Sequence, residues 1–181
     1  MSLSIETKRL KLMPINESHS SALHHFWSDP AVTQFMTIDP FETIEQTTEM
    51  IAFLVKKMTE GEASRYTIQL KNTEEIIGTC GLNYLDYQNN RTEVAYDLGS
   101  AYWGKGYAFE ALSGFVEWVL QEQKFHRLEA KIDPDNLPSI KLIEKLGFKK
   151  EGLLRDYEKI GLHYYDVFMY SKIKEPENAS Q

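Results

Sequence analysis

Residues 93–109, EVAYDLGSAYWGKGYAF, constrain this chain more than any other stretch. The first half alternates in the manner of a β-strand. It passes through Gly99 into Trp103-Gly104-Lys105-Gly106-Tyr107-Ala108, and an amphipathic helix pattern starts at once. Glycines at the mouth of a helix let backbone N–H groups converge on an anion, because no Cβ blocks the approach. The helix N-terminus adds partial positive charge. Strand, glycine turn and helix in direct succession therefore suit a phosphate or pyrophosphate.

The flanking pattern places this unit in a larger fold. Residues 7–13 (TKRLKLM) alternate and Pro14 stops them, which predicts a first strand at or near a sheet edge. Asn16-Glu17-Ser18 offers caps for a helix with Ala22, Leu23, Phe26 and Trp27 on one face, ended by Asp29-Pro30. Residues 36–42 are expected as loop. A second helix is expected over 44–59, with Ile51, Leu54, Val55 and Met58 inward and Gly61 as its stop.

Strands over 65–70, 76–85 and 92–98 are separated by turn-rich 72–74 and 88–90, so they should form an antiparallel meander. The next helix places Ala108, Ala111, Leu112, Phe115, Val119 and Leu120 on a core stripe. Residues 127–132 form a strand, a short helix runs to Leu146, and 148–156 and 164–172 are the last strands. The order is β-αα-βββ-α-β-α-ββ. It predicts an α/β fold of the α+β type: one mixed, largely antiparallel sheet of about seven strands flanked by helices. One domain over 1–173 is expected, with 174–181 a flexible tail.

Composition excludes several classes. The net charge of −7 argues against a nucleic-acid binder. No apolar run approaches the ~20 residues needed to cross a bilayer, and no signal peptide is visible. The lone cysteine, Cys80, excludes an internal disulfide and fits a reducing, cytoplasmic setting. The five histidines show no ligand spacing, so no metal is expected. Monomer and homodimer are both open.

Three ligands compete for the glycine loop. A Walker-type loop needs G-x-x-x-x-G-K-[ST], which is absent. A dinucleotide loop needs G-x-G-x-x-G/A in a parallel βαβ unit. Gly104 and Gly106 fit it and Glu129 lies at a suitable distance for a ribose-binding acid, but Phe109 holds the third small position. The third ligand is the pyrophosphate of coenzyme A. Residues 5–14 (IETKRLKLMP), 103–112 (WGKGYAFEAL) and 136–148 (NLPSIKLIEKLGF) together resemble the GCN5-related N-acetyltransferases. They are most similar to the branch that acetylates ribosomal-protein N-termini. The resemblance covers about residues 5–172, and three motifs in register are more specific than any one of them.

The resemblance implies acetyl-CoA as cosubstrate, lying where strand 92–98 and strand 127–132 splay apart. The pantetheine arm would pair along the backbone of Tyr96 to Leu98, with a donor near Leu98 for the thioester carbonyl. Trp103, Gly104, Lys105, Gly106, Tyr107 and Ala108 would hold the pyrophosphate. Trp103 stands where many relatives carry Gln or Arg, which shifts the binding towards backbone amides and Lys105. Asn136 matches an asparagine that contacts the coenzyme arm, a role compatible with capping the helix.

The implied acceptor is a primary amine, most plausibly a protein N-terminus, attacking directly in a ternary complex. A polyamine or other small amine, or a non-catalytic acyl-CoA-binding module, are the alternatives. Glu93 resembles a family base; it would otherwise be a solvent-facing strand residue paired with Arg91 or Lys131. Asp97, or water alone, are further options for the base. Many relatives place an acidic tyrosine where this chain has Ile143, and Ser139, one helical turn beyond Asn136, is the nearest substitute hydroxyl. Tyr84, Tyr87, Tyr164 and Tyr165 are expected to pack, although they could line an acceptor cleft.

Overall fold

The expected first strand is broken by a turn. In the computed structural model, which describes residues 4–175, the Thr7 N–H donates to the Leu10 carbonyl at 2.9 Å. That turn folds β1 (Ile5–Glu6) back on β2 (Leu10–Pro14), with Ile5 opposite Leu12. Pro14 closes β2 opposite Tyr66, at a strand end where its missing N–H costs least.

A single 3₁₀ turn leads into α1 (Ser20–Trp27). Asp29-Pro30 ends that helix and also starts another, α2 (Pro30–Thr33), because the Asp29 carboxylate accepts from the Ala31 N–H at 2.9 Å and proline suits the first helical turn. The long helix α3 (Ile44–Thr59) matches its expected span and starts on a capping box between Thr43 and Gln46. Strands β3 (Ser64–Leu70), β4 (Ile76–Asp86) and β5 (Arg91–Leu98) form the antiparallel meander. Then follow α4 (Tyr107–Gln121), β6 (Arg127–Ile132), α5 (Leu137–Lys145), β7 (Lys149–Ile160) and β8 (His163–Ile173).

The sheet has eight strands rather than about seven, in the order β1-β2-β3-β4-β5-β6-β8-β7. Every neighbouring pair is antiparallel except β5–β6, which α4 connects by a crossover. Both faces are covered. On one, Leu112, Phe115 and Val119 of α4 and Ile143 of α5 pack on Ile68, Cys80 and Leu128. On the other, Leu23, Phe26 and Trp27 of α1 pack with Val32 and Ile51. The last hairpin is longer than expected because a bulge in β7 breaks the alternation, as described below. Among the described residues no helix is long and apolar enough to cross a membrane. The expected tail lies mostly outside the described residues.

Candidate active site

Two strands part in the middle of the sheet. β5 and β6 pair at Arg91–Arg127, Thr92–Leu128 and Glu93–Glu129, and there the ladder ends. From Val94 onward β5 has no partner on that edge. A cleft of about 830 Å³ opens at the gap, within the ~300–1,000 Å³ common for small-molecule sites. The glycine loop, the first turn of α5, residues 30–40 and the β7–β8 hairpin all line it.

At the loop end, Gly104 and Gly106 take φ of +72° and +78°, a left-handed backbone that favours glycine. Nothing lies within 4 Å of a Cβ built at Gly104, so the loop backbone is open to an approaching group. The Trp103 indole donates to the Leu98 carbonyl at 2.7 Å and pins the loop to the end of β5. Arg9 braces it from outside. Its guanidinium donates to the Lys105 carbonyl at 3.2 Å, stacks 4.4 Å from the Tyr107 ring centroid and pairs with Glu110 at 2.6 Å. The Lys105 ammonium lies 5.7 Å from the Tyr102 ring. Tyr107 and Ala108 line the cleft at the start of α4.

Asn136 caps α5, its side-chain oxygen accepting from the Ser139 N–H at 3.2 Å. Ser139 is buried, and its Oγ accepts from the Tyr96 hydroxyl at 3.1 Å. Burial raises the Tyr96 phenol above its ordinary value, so it stays protonated and donating. Sequence reading assigns this tyrosine for its backbone alone; that its hydroxyl bonds Ser139 at the cleft is not visible in strand periodicity. Ile143, at the position of the missing tyrosine, is 1% exposed and packs in the core.

The other end is charged. Glu93 is buried, not solvent-facing. Its Oε2 pairs with the Lys131 ammonium at 2.7 Å, and its Oε1 accepts from the Asn83 amide at 2.8 Å. A bulge in β4 places these groups: Asn83 and Tyr84 together oppose Glu93 between the Leu82–Val94 and Leu85–Thr92 pairs. Asn83 thereby reaches Glu93, while the Tyr84 hydroxyl donates to Glu129. Glu129 also accepts from Arg127 at 2.7 Å. Its carboxylate is thus engaged within the sheet, which removes the ribose-binding role that the dinucleotide reading required. Burial opposes the charge on Lys131, but the Glu93 carboxylate and then Tyr157 outweigh it and hold its value up. Asp97 is buried, takes hydrogen bonds from Thr79 and from Trp27, and burial pushes its value up.

A second carboxylate at this end, Glu158, has no sequence signal. In β7, Arg155, Asp156 and Tyr157 oppose Asp166 alone, between Leu154–Val167 and Glu158–Tyr165. Asp156 adopts φ of +49°, and its N–H donates to Asp166 Oδ1 at 2.8 Å. The bulge turns Tyr157 beneath Lys131, whose ammonium lies 4.8 Å from the ring centroid, and brings Glu158 to the cleft. Burial raises the Glu158 carboxyl; Lys131 opposes the rise, and the Glu93 and Asp133 charges add to it. Tyr165 lines the same cleft, whereas Tyr87 stacks on Phe125. Among the described residues no group of three His, Cys, Asp or Glu side chains is placed to hold a metal ion.

Chemically, a loop with two left-handed glycines, a strand edge unpaired among the described residues, a hydroxyl pair and a carboxylate–ammonium cluster share one cleft. Residues 9–149 match the acetyltransferase (GNAT) domain family. The chain is 44% identical over 171 residues to the uncharacterized N-acetyltransferase p20 of Bacillus licheniformis, covering 94% of this chain and 96% of that one. Among solved structures it is similar to RimL, a ribosomal L7/L12 alpha-N-protein acetyltransferase in complex with coenzyme A. The TM-score is 0.85 at 25% identity, over 94% of this chain and 97% of that one. The ribosomal-protein-S5-alanine acetyltransferase of Vibrio fischeri gives a TM-score of 0.83 at 26% identity, over 96% and 98%. With the family match over residues 9–149 and these relatives, the assignment is plain: this chain belongs to the GNAT family of acetyltransferases.

Proposed function

We propose that the protein moves an acetyl group from acetyl-CoA to a primary amine at the end of a protein chain. The observation that carries this reading is the end of the β5–β6 ladder at Glu93–Glu129, directly beside a loop with two left-handed glycines. An extended amide-bearing arm can pair with the free edge of Tyr96 to Leu98, while loop amides and the N-terminus of α4 receive a diphosphate. Trp103, Lys105, Tyr107 and Ala108 would serve the diphosphate and Asn136 the arm. The protein-N-terminal acceptor rests on the two ribosomal-protein acetyltransferases among the structural relatives.

When bound, the thioester supplies the activated acyl carbon; the side chains do the rest. Holding amine and thioester together accounts for much of the barrier reduction. An amine reaching the charged end meets Glu93 and Glu158. Both Glu93 oxygens are already occupied, by Lys131 and Asn83. Glu158 is the carboxylate free to take a proton from the incoming ammonium, and its raised value brings it closer to a working base. Glu93 and Lys131 keep the charge balance around it. At the other side Tyr96 donates to Ser139, which leaves the Ser139 hydroxyl proton available for a hydrogen bond to the departing thiolate; that thiolate takes its proton from the amine through solvent. That hydroxyl takes the place of the tyrosine replaced by Ile143, which favours a catalyst over a silent acyl-CoA binder.

The test is thiol release. Purified protein with acetyl-CoA should liberate free coenzyme A when peptides with free N-termini are added, and mass spectrometry should find the acetyl group on the α-amine. Acetylation confined to polyamines or other small amines would replace the acceptor class. No release with any amine would overturn the catalytic reading.

A further inference from the structure

One cation at the acceptor end, Arg65, forms no ion pair among the described residues, although its charge is felt by the buried Asp97 carboxyl, whose value it lowers against the rise from burial. Arg65 lies on β3 opposite Gly81, and Gly81 lies opposite Ala95 of β5. Directly opposed residues share a sheet face. Neither Gly81 nor Ala95 places a large side chain between the arginine and the cleft, which Arg65 lines. The neighbouring charges are answered: Glu93 by Lys131, and Asp97 by hydrogen bonds from Thr79 and Trp27.

Arg65 is not answered in this way. One Nη donates to the neutral Asn83 side chain at 2.9 Å, its Nε is buried without a hydrogen-bond partner, and it forms no ion pair among the described residues. Asn83 also donates to Glu93, so the guanidinium is tied through one amide to the carboxylate cluster where an amine would react. A guanidinium carries five donors in a planar fork suited to a carboxylate. In a chain of net charge −7, such a cation is the local exception that lets an anion enter.

We propose that Arg65 receives a carboxylate carried by the acceptor itself, so that the preferred substrate presents a primary amine and, a short distance away, an anionic group. The inference rests on the acetyl-transfer reading above and adds the substrate's charge pattern to it. The carboxylate comes from an acidic side chain near a peptide N-terminus or from the α-carboxylate of a free amino acid. Phe35, Met36 and Tyr165, which line the same cleft, offer apolar contact to the rest of the molecule.

The experiment compares matched acceptors with saturating acetyl-CoA. Short peptides with free N-termini carry Glu or Gln at the second or third position, and free amino acids are set against their amides. Wild type should show kcat/KM about tenfold to a hundredfold higher for the carboxylate member of at least one series, mostly through KM. Arg65→Gln should erase that preference while leaving the neutral member and coenzyme A affinity little changed. Arg65→Lys, which keeps the charge without the fork, should retain part of it and serves where Arg65→Gln folds poorly. Equal turnover of charged and neutral members by wild type would overturn this inference and leave the acetyl-transfer reading standing. So would a preference that survives in both variants. No turnover of any amine would instead sink the acetyl-transfer reading, and this inference with it.

Discussion

The Tyr96 hydroxyl donates to Ser139 Oγ at 3.1 Å and links β5 to the first turn of α5 beside the gap where β5 and β6 part. The contact joins the strand whose free edge would carry the coenzyme arm to the helix whose cap lines the same cleft. Ser139→Ala should lower kcat by about 10²-fold, within the usual range for losing one hydrogen-bond donor to a developing anion, with coenzyme A affinity unchanged. Tyr96→Phe should cost less, because Ser139 keeps its hydroxyl and loses only its orientation. Steady-state kinetics paired with calorimetry checks both; a kcat unchanged in Ser139→Ala removes serine from the stabilisation of the departing thiolate.

Gly106 adopts φ of +78° at the start of α4, where an L side chain is strained. Gly106→Trp strains this left-handed turn and drives bulk against the Arg9 guanidinium that braces the loop. Calorimetry should find coenzyme A binding abolished, while circular dichroism retains the native spectrum. Wild-type affinity in this variant would place the diphosphate elsewhere.

The Glu158 carboxyl is raised by burial from its ordinary 4.5. A base must be ionised to work, so kcat/KM should fall as pH drops through that raised value, above the range of exposed glutamates. The same sign governs stability. A raised carboxyl favours the fold below 4.5, and that contribution is lost as pH rises through the folded value. Glu158→Gln should therefore remove the acid limb of the kcat/KM profile without lowering the melting temperature at neutral pH. A limb that stays in place assigns the proton to another group.

Glu151 behaves in the opposite sense. Hydrogen bonds from Arg127 and then Ser171 pull its carboxyl down from 4.5 to about 2. A lowered carboxyl stabilises the fold above its unfolded value, and the contribution is lost as pH falls from 4.5 towards about 2. Because Glu151 is exposed, the effect is modest. Thermal melts across that window should decline more steeply for wild type than for Glu151→Gln; identical slopes would mean that the Arg127–Glu151 pair contributes nothing.

Cys80 is fully buried, and burial pushes its thiol up to about 12. A protonated, enclosed thiol is a poor nucleophile. Thiol reagents should leave the native protein unlabelled and fully active, and should label it one-to-one once it is unfolded. Rapid inactivation of the native protein would show that the strand opens far more readily than its burial implies.

Much of this architecture was legible in residue order. The helix at Ile44–Thr59 and the strand at Arg127–Ile132 match their expected spans, because apolar spacing of 3.6 or 2 reports which face is buried. The glycine loop was legible because positive φ selects glycine. What escaped lies where the period is interrupted. The Thr7–Leu10 turn split the first strand, and the bulges at Asn83-Tyr84 and Arg155–Tyr157 shift side chains by one place. Glu158 and Asn83 reach the cleft only through those bulges. The Glu93–Lys131 pair was one of two partners that the sequence allowed, and strand register chose it.

Sequence by itself determined the order of elements, the loop and the family, since these are local properties of spacing and residue type. Tertiary structure alone decided which charges meet, that Tyr96 bonds Ser139, and that Arg65 forms no ion pair among the described residues. The physical reason is that such contacts join distant segments, and their geometry is set by where a ladder ends or a bulge intrudes.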